Sequence, residues 1–285
     1  MIRPRAGEAV LEPARIRRRA AHENFRVASR LLPRRTRHDL LAIYGVARMI
    51  DEAGDEAPGD REALLDRLER DVRRMDIGRP EHPLIRDMRS VVRAHGISPQ
   101  PFLDLVEANR LDQRTARYGT FEDLLGYCAL SANPVGHLVL GVLDRSDEGT
   151  RSLSDPICTG LQLAEHWQDV REDLGRGRIY LPQEDLEAFG VTEDDLAAPS
   201  AGPSLRALMD FEVARTRVLL EAGRPLAAML GGRAGWAIRG FLAGGLEALD
   251  GIGRAGFDVL SAPPHASRPR RAVRLLLEAL PWRSV

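Results

Sequence analysis

The chain has 285 residues, of which 44% are hydrophobic and 29% charged, and its formal net charge is −1. That length supports a buried core in one large domain or two small ones, and the near-zero charge excludes recruitment of nucleic acid or an anionic membrane by a global field. All 41 basic residues are arginine, so Schiff-base chemistry and a Walker-type phosphate loop, which need lysine, are excluded.

Cys128 and Cys158 are the two cysteines. They form neither a disulfide framework nor a metal cluster, and are read as small buried residues of a protein in a reducing, cytoplasmic setting. No apolar signal-peptide core follows the N-terminal arginines. No uninterrupted apolar run approaches about 18 residues, so no transmembrane helix is expected.

Strand signals are nearly absent and helical periodicity dominates. The first helix is predicted over 12–32, with the arginines at 15–19 on a solvated face and with His22 in it reading as packing. A second helix, 36–55, runs through the apolar "LLAIYGVARMI" into "DEAGDE". There Asp51 and Asp55 stand four apart, with Glu52 and Glu56 beside them. Their place near a helix C-terminus argues against a capping role, because the helix dipole disfavours anions there. Helices follow over 60–77, with Leu64, Leu65, Leu68, Val72 and Met75 on one stripe, and over 82–95, 99–116 and 120–144. The last of these carries "YCALSANPVG", in which Pro134 marks a break in the helix.

The helix predicted over 152–174 holds a second acidic stripe. Gln162, Glu165, Asp169 and Asp173 recur at about one-turn spacing, while Trp167, Val170 and Leu174 fall elsewhere on the wheel. His166 in the same helix reads as packing or as an outer hydrogen-bond partner. The basic loop "GRGRIYLP" closes the segment, and "AAPSAGPS" at 197–204 is the best linker. Helices over 203–230 and 233–254 complete the body. Trp236 and Phe241 suit either a tunnel lining or core, and Gly244 and Gly245 suit close helix packing. The segment after 261 reads as a tail with a short helix at 270–280. The expectation is therefore an all-α, single-domain protein of about ten helices around a central cavity, with a core over 12–260 and a tail over 261–285.

Either acidic pair alone is ordinary surface charge in so charged a chain. Two pairs, each in an apolar helix, point further. Like charges at this spacing destabilise a helix by a few tenths of a kcal/mol, and a cation between them reverses that cost. Mg²⁺ commonly takes one or two carboxylates plus phosphate oxygens. Facing pairs across a helical cavity would hold about three Mg²⁺ ions and a diphosphate group. Ionisation of an allylic diphosphate needs that arrangement, with apolar walls keeping water from the cation. The 5% aromatic content favours an aliphatic tunnel for long prenyl chains over an aromatic cyclase pocket.

With both clusters in place, the sequence resembles the squalene/phytoene synthase family, from about "HENFRVASRLLP" at 22–33 to about residue 260. The resemblance rests on "DEAGDE" at 51–56 and "DVRED" at 169–173, on "YGVARMIDE", on "YCALSANPVG" at 127–136 and on "GRIYLP" at 177–182. It implies an isoprenoid synthase fold in which Asp51, Asp55, Asp169 and Asp173 bind Mg²⁺. Arg48 and Arg178 would contact diphosphate. Tyr44, Tyr127 and Tyr180 would line the cavity, and Gln162 would face the reacting carbons. Two residues depart from the family pattern: Glu52 stands where aspartate is usual, and Glu165 where asparagine is the usual neutral metal ligand.

Three phrases, "ENFRVASRLLP", "QDVREDLGRGRIYLPQEDLEAFGV" and "SANPVGHLVL", resemble the bacterial hydroxysqualene synthase branch. That branch implies conversion of presqualene diphosphate to hydroxysqualene on the way to squalene and hopanoids. It also implies other squalene-pathway enzymes as partners, and greasy substrates that allow peripheral membrane contact. Two alternatives stay open. One is head-to-head condensation of two farnesyl or geranylgeranyl diphosphates. The other is a weakly active subunit, which Glu165 keeps in view.

Overall fold

The computed structural model describes residues 32–261. The expected helices at 12–32 and 270–280, with His22 and the arginines at 15–19, lie outside the described residues but for Leu32. The described chain is helical throughout, with one isolated parallel bridge between Arg117 and Ile179. It forms two compact units, residues 32–114 with 129–151, and residues 115–128 with 152–261.

In the first unit, α1 (Arg34–Asp55) is the central helix, packed against α2 (Arg61–Arg73), α3 (Pro83–His95), α4 (Gln100–Arg114) and α6 (Asn133–Val142). Ile43, Val46, Ile50 and Ala53 recur at three- and four-residue spacing and are buried, which fixes the inward face of α1. Local chemistry sets the boundaries. The Asp60 side chain caps α2 by accepting from the Ala63 N–H at 2.9 Å. Buried Asp71 on α2 accepts from the N–H groups of Glu81 (2.7 Å) and His82 (2.6 Å), pinning the entry to α3. Gly96 ends α3 at φ 59°, the left-handed stop that glycine adopts without strain.

The second unit is built on α7 (Glu148–Gln168), α11 (Pro203–Ala222) and α13 (Gly232–Arg254), with α5 (Phe121–Ser131), α8 (Val170–Gly175), α9 (Gln183–Phe189), α10 (Glu193–Ala197) and α12 (Pro225–Leu230) around them. The chain crosses between the units at the end of α4 and inside α5 and α7. Trp167 on α7 is fully buried, and its indole Nε1 donates to Thr216 Oγ1 of α11 at 2.7 Å. A Cβ on Gly245 of α13 would approach Leu161 Cδ2 to 2.8 Å and Leu220 Cδ1 to 3.0 Å, so α13 needs glycine there to come close to α7 and α11.

Several sequence expectations are corrected. The helix expected over 152–174 begins at Glu148 and breaks at Asp169. That over 120–144 breaks at Ala132, as expected from Pro134, which lacks the amide hydrogen that would continue the ladder. That over 203–230 breaks at Gly223–Arg224, before Pro225. Helices α9 and α10 were not expected; they start from the Pro182 turn and from a Thr192–Asp195 capping box.

Trp236 is 42% exposed, because the buried stripe of α13 runs through Ala237, Ile238, Leu242, Leu246 and Leu249 instead. Cys158 is only half-buried. The stretch Phe121–Val142 does have the length and hydropathy of a membrane-crossing helix, although it is broken at Ala132 and more than half of its most apolar window is buried in the protein. A core helix of that composition meets the same description.

Candidate active site

Each unit carries one of the acidic clusters at the end of a helix. In the first unit, Tyr44, Arg48, Asp51 and Asp55 follow one another along the same stripe of α1. Asp55 is exposed, and Tyr44, Arg48 and Asp51 are half-buried. Glu52 is 1% exposed, directed into the unit, with Arg48 Nε at 3.5 Å from its Oε1. Arg48 Nη2 lies 3.4 Å from Glu56 Oε1. The guanidinium is thus held at the acidic end of α1 by two carboxylates of its own helix.

Asp51 is the most perturbed carboxylate of this cluster. Burial pushes it up to about 6, against the lowering effects of a hydrogen bond from Asn109 and the charge of Arg48. The charges of Asp55 and Asp112 add to the rise. Asn109 Nδ2 donates to Asp51 Oδ1 at 3.3 Å and to the Leu105 carbonyl at 3.0 Å. One turn on, Gln113 Nε2 donates to the carbonyls of Gly54 (3.0 Å) and Asn109 (3.1 Å). Helix α4 therefore clamps both a carboxylate and a terminal carbonyl of α1.

In the second unit, Asp169 sits at the break between α7 and α8 with φ −104° and ψ 14°. The backbone path stays helical in its hydrogen bonding, with Asp169 N–H to Glu165 O at 3.0 Å and Asp173 N–H to Asp169 O at 2.8 Å. The two aspartates therefore remain one turn apart. Burial raises Asp169 above the usual carboxylate range, and the neighbouring Asp173 and Glu172 raise it further. Glu165 is exposed on α7, whereas Asp169 and Asp173 are half-buried.

The loop after the second cluster folds back on it. Gly177 turns the chain at φ 80°, and the Arg178 N–H donates to the Asp173 carbonyl at 2.9 Å. The strand-like stretch beyond runs beside residues 116–119, through Ile179 N–H to Ala116 O (2.9 Å) and Gln183 N–H to Tyr118 O (2.9 Å). This pairing sets Tyr180 against Tyr118, with ring centroids 5.7 Å apart and planes at 20°. Tyr127 stands 5.5 Å from Tyr118 and 5.7 Å from Tyr180. Arg178, Tyr180, His166 and Asp173 line one small cleft. Arg171, although inside "DVRED", points away, donating to the carbonyls of Leu260 and Ala198 at 2.6 Å each.

His166 is buried between these groups. Its Nε2 is 3.1 Å from Gln162 Nε2, its Nδ1 is 3.7 Å from Asp173 Oδ2, and its ring stacks on Tyr180 at 3.7 Å. The structure thus gathers Tyr127, Gln162, Asp173, Arg178 and Tyr180 in one unit, and Tyr44, Arg48, Asp51 and Asp55 in the other. Sequence reasoning missed Asn109, Gln113 and Tyr118. Asn109 had a signal: it falls four residues after Leu105 on the buried stripe of α4, an unusual place for an amide.

Comparison with known proteins bears on this arrangement. Residues 18–272 match the family model described as "Squalene/phytoene synthase". A hydroxysqualene synthase of Rhodopseudomonas palustris is 36% identical over 211 residues, covering 72% of this chain and 70% of that protein. A 15-cis-phytoene synthase of Synechococcus elongatus is 33% identical, covering 83% and 82%. The crystal structure of the squalene synthase HpnC from Alicyclobacillus acidocaldarius superposes with a TM-score of 0.81 at 40% identity, over 86% of this chain and 94% of that one.

Proposed function

The chain belongs to the squalene/phytoene synthase family, with the all-α isoprenoid synthase fold, and we propose that it converts presqualene diphosphate to hydroxysqualene and diphosphate. The single observation that carries this reading is that each unit presents two aspartates one helical turn apart, Asp51 with Asp55 and Asp169 with Asp173, with an arginine, Arg48 or Arg178, held beside each pair. Such groups are arranged for a cation, since a bound divalent ion relieves their repulsion. The relatives named as hydroxysqualene synthases favour that branch within the family.

The donor set fits Mg²⁺. All the clustered acidic donors are carboxylate oxygens, the ligand type this hard cation takes. Among the described residues no three His, Cys, Asp or Glu side chains close around a point. Mg²⁺ characteristically binds one or two carboxylates and leaves its other positions to water and substrate phosphate. Asp51 and Asp55 in the first unit would hold Mg²⁺, as would Asp169 and Asp173 in the second, with Glu165 as a further ligand one turn before Asp169. When bound, Mg²⁺ supplies charge neutralisation to the departing diphosphate.

The remaining roles fall to the protein's own groups. Arg48 and Arg178 donate to diphosphate oxygens through planar guanidinium forks. Tyr180, packed against Tyr118 and Tyr127, shares a cleft with Asp173 and limits water there. The carbon–oxygen bond to diphosphate breaks with the electron pair leaving on oxygen. The cyclopropylcarbinyl cation rearranges with opening of its three-membered ring, and a water oxygen then bonds to the rearranged cation and loses one proton to solvent.

The test is product analysis with purified protein, Mg²⁺ and presqualene diphosphate in oxygen-18 water. A labelled triterpene alcohol is the expected result. A second reading, head-to-head condensation of two prenyl diphosphates, draws on the 33% identity to the phytoene synthase. Products from farnesyl or geranylgeranyl diphosphate alone, without the alcohol, would favour it. No product from any of these substrates would point to a non-catalytic subunit.

A further inference from the structure

A buried histidine beside an active site is usually packing, and its ring nitrogens then meet backbone carbonyls, structural side chains or water. His166 is different. It is 8% exposed, and each nitrogen and one ring face meets a group that the sequence alone singles out for the site. Nε2 meets Gln162 at 3.1 Å, Nδ1 points toward Asp173 Oδ2 at 3.7 Å, and Tyr180 lies flat against the ring at 3.7 Å with planes 19° apart.

The chemistry of these contacts assigns the protons. A lone pair on Nδ1 would face the Asp173 carboxylate repulsively, whereas an N–H there is attracted to it, so Nδ1 carries the hydrogen. In the neutral ring Nε2 is then an acceptor. Gln162 must offer it an amide N–H, which turns the Gln162 carbonyl oxygen away from the ring. Stacking on Tyr180 fixes the imidazole plane. The tautomer thus couples the carboxylate of the second acidic cluster to the amide one turn before it.

We propose that His166 is a positioning residue, holding the Asp173 carboxylate in place for Mg²⁺–diphosphate and setting the Gln162 amide with its oxygen outward. The proposal rests on the Mg²⁺–diphosphate reading of the carboxylates given above. Its effect is of the kind exerted by outer partners of metal ligands, whose loss costs about 10–100-fold in metal affinity or activity.

Three variants separate the contacts. His166→Phe keeps a flat ring against Tyr180 but removes both nitrogens. His166→Asn places an amide where Nδ1 stood, facing Asp173, and His166→Gln places one near Nε2, facing Gln162. Calorimetry with MgCl₂ and inorganic diphosphate measures binding without turnover, and thermal melting measures packing. His166→Phe should weaken Mg²⁺-dependent diphosphate binding about 10–100-fold with its melting temperature near that of the unaltered protein. His166→Asn should recover most of that binding, and His166→Gln should not.

Diphosphate binding by His166→Phe as tight as in the unaltered protein would overturn the proposal. Equal loss in all three variants together with lowered melting temperatures would overturn it too, by reducing His166 to packing. If the unaltered protein itself binds no diphosphate with Mg²⁺, the reading of the carboxylates fails first, and the two failures are thereby told apart.

Discussion

The Asn109 side-chain amide donates to Asp51 Oδ1 at 3.3 Å, across the contact between α4 and α1. The approach is possible only because residue 54 is glycine: a Cβ there would lie 2.1 Å from Asn109 Oδ1. A carboxylate that burial pushes up to about 6 is thus kept in place by an amide whose seat is cut from a neighbouring helix.

Gly54→Ala should therefore act at a distance from its own position. Forcing a methyl group into a filled space costs about 1–3 kcal/mol, and the clash displaces Asn109 from Asp51. The urea midpoint should fall with an unchanged slope, and Mg²⁺ affinity should fall about tenfold. An unaltered midpoint would show that Asn109 has room to move.

Asp51→Asn and Asp169→Asn should each lower turnover by about 10³-fold or more, the several kcal/mol that metal stabilisation of a leaving group supplies. Their stability should be unchanged or raised, because each removes a half-buried charge held beside like charges. Chelation of the unaltered protein should abolish turnover, and added Mg²⁺ should restore it. Steady-state kinetics beside thermal melts check both halves; full activity in either variant would remove that aspartate from the metal site.

A separate group of charges holds α9 to α11. Arg215 Nη2 bonds Glu212 Oε1 at 2.6 Å and Asp185 Oδ2 at 2.7 Å, and the guanidinium lies 3.4 Å above the centre of the Phe121 ring. Arg215→Ala leaves two buried carboxylates uncompensated and should cost about 3–5 kcal/mol. Glu212→Gln should cost far less, since burial already pushes the Glu212 carboxyl up to about 7. Chemical denaturation of the two variants gives the comparison, and equal losses would contradict it.

The pH dependence of stability should carry a contribution from His95. Burial alone would lower its imidazole, but hydrogen bonds to Asp144 (2.8 Å) and Asp39 (3.3 Å) outweigh that and hold it above its ordinary 6.5. A folded value above the unfolded one means a contribution fully present below about 6.5 and lost as pH rises through the raised value. The melting-temperature gap between the unaltered protein and His95→Gln should be wider near pH 6 than near pH 9. Parallel curves would sink the assignment.

What the sequence by itself determined follows from local physics. Helical periodicity located the inward stripe of α2, with Leu64, Leu65, Leu68 and Val72 all buried, and four-residue spacing brought Asp51 near Asp55 and Asp169 near Asp173, because those relations lie within one turn. Short-range signals also marked the break at Pro134. They did not reveal the break at Asp169 itself, where no proline or glycine stands and only the backbone angles depart from the helix. Only the tertiary structure decided which polar groups support the carboxylates. Asn109 is 58 positions from Asp51, and Tyr118 is 62 from Tyr180; such pairs have no spacing rule. His166 shows the same division at short range: its place on α7 was legible, but the side its ring would take depended on Tyr180, brought to it by the pairing of residues 116–119 with the loop after Asp173. Local spacing places charges on a helix, whereas desolvation and hydrogen bonding, which decide what those charges do, come from parts of the chain that meet only on folding.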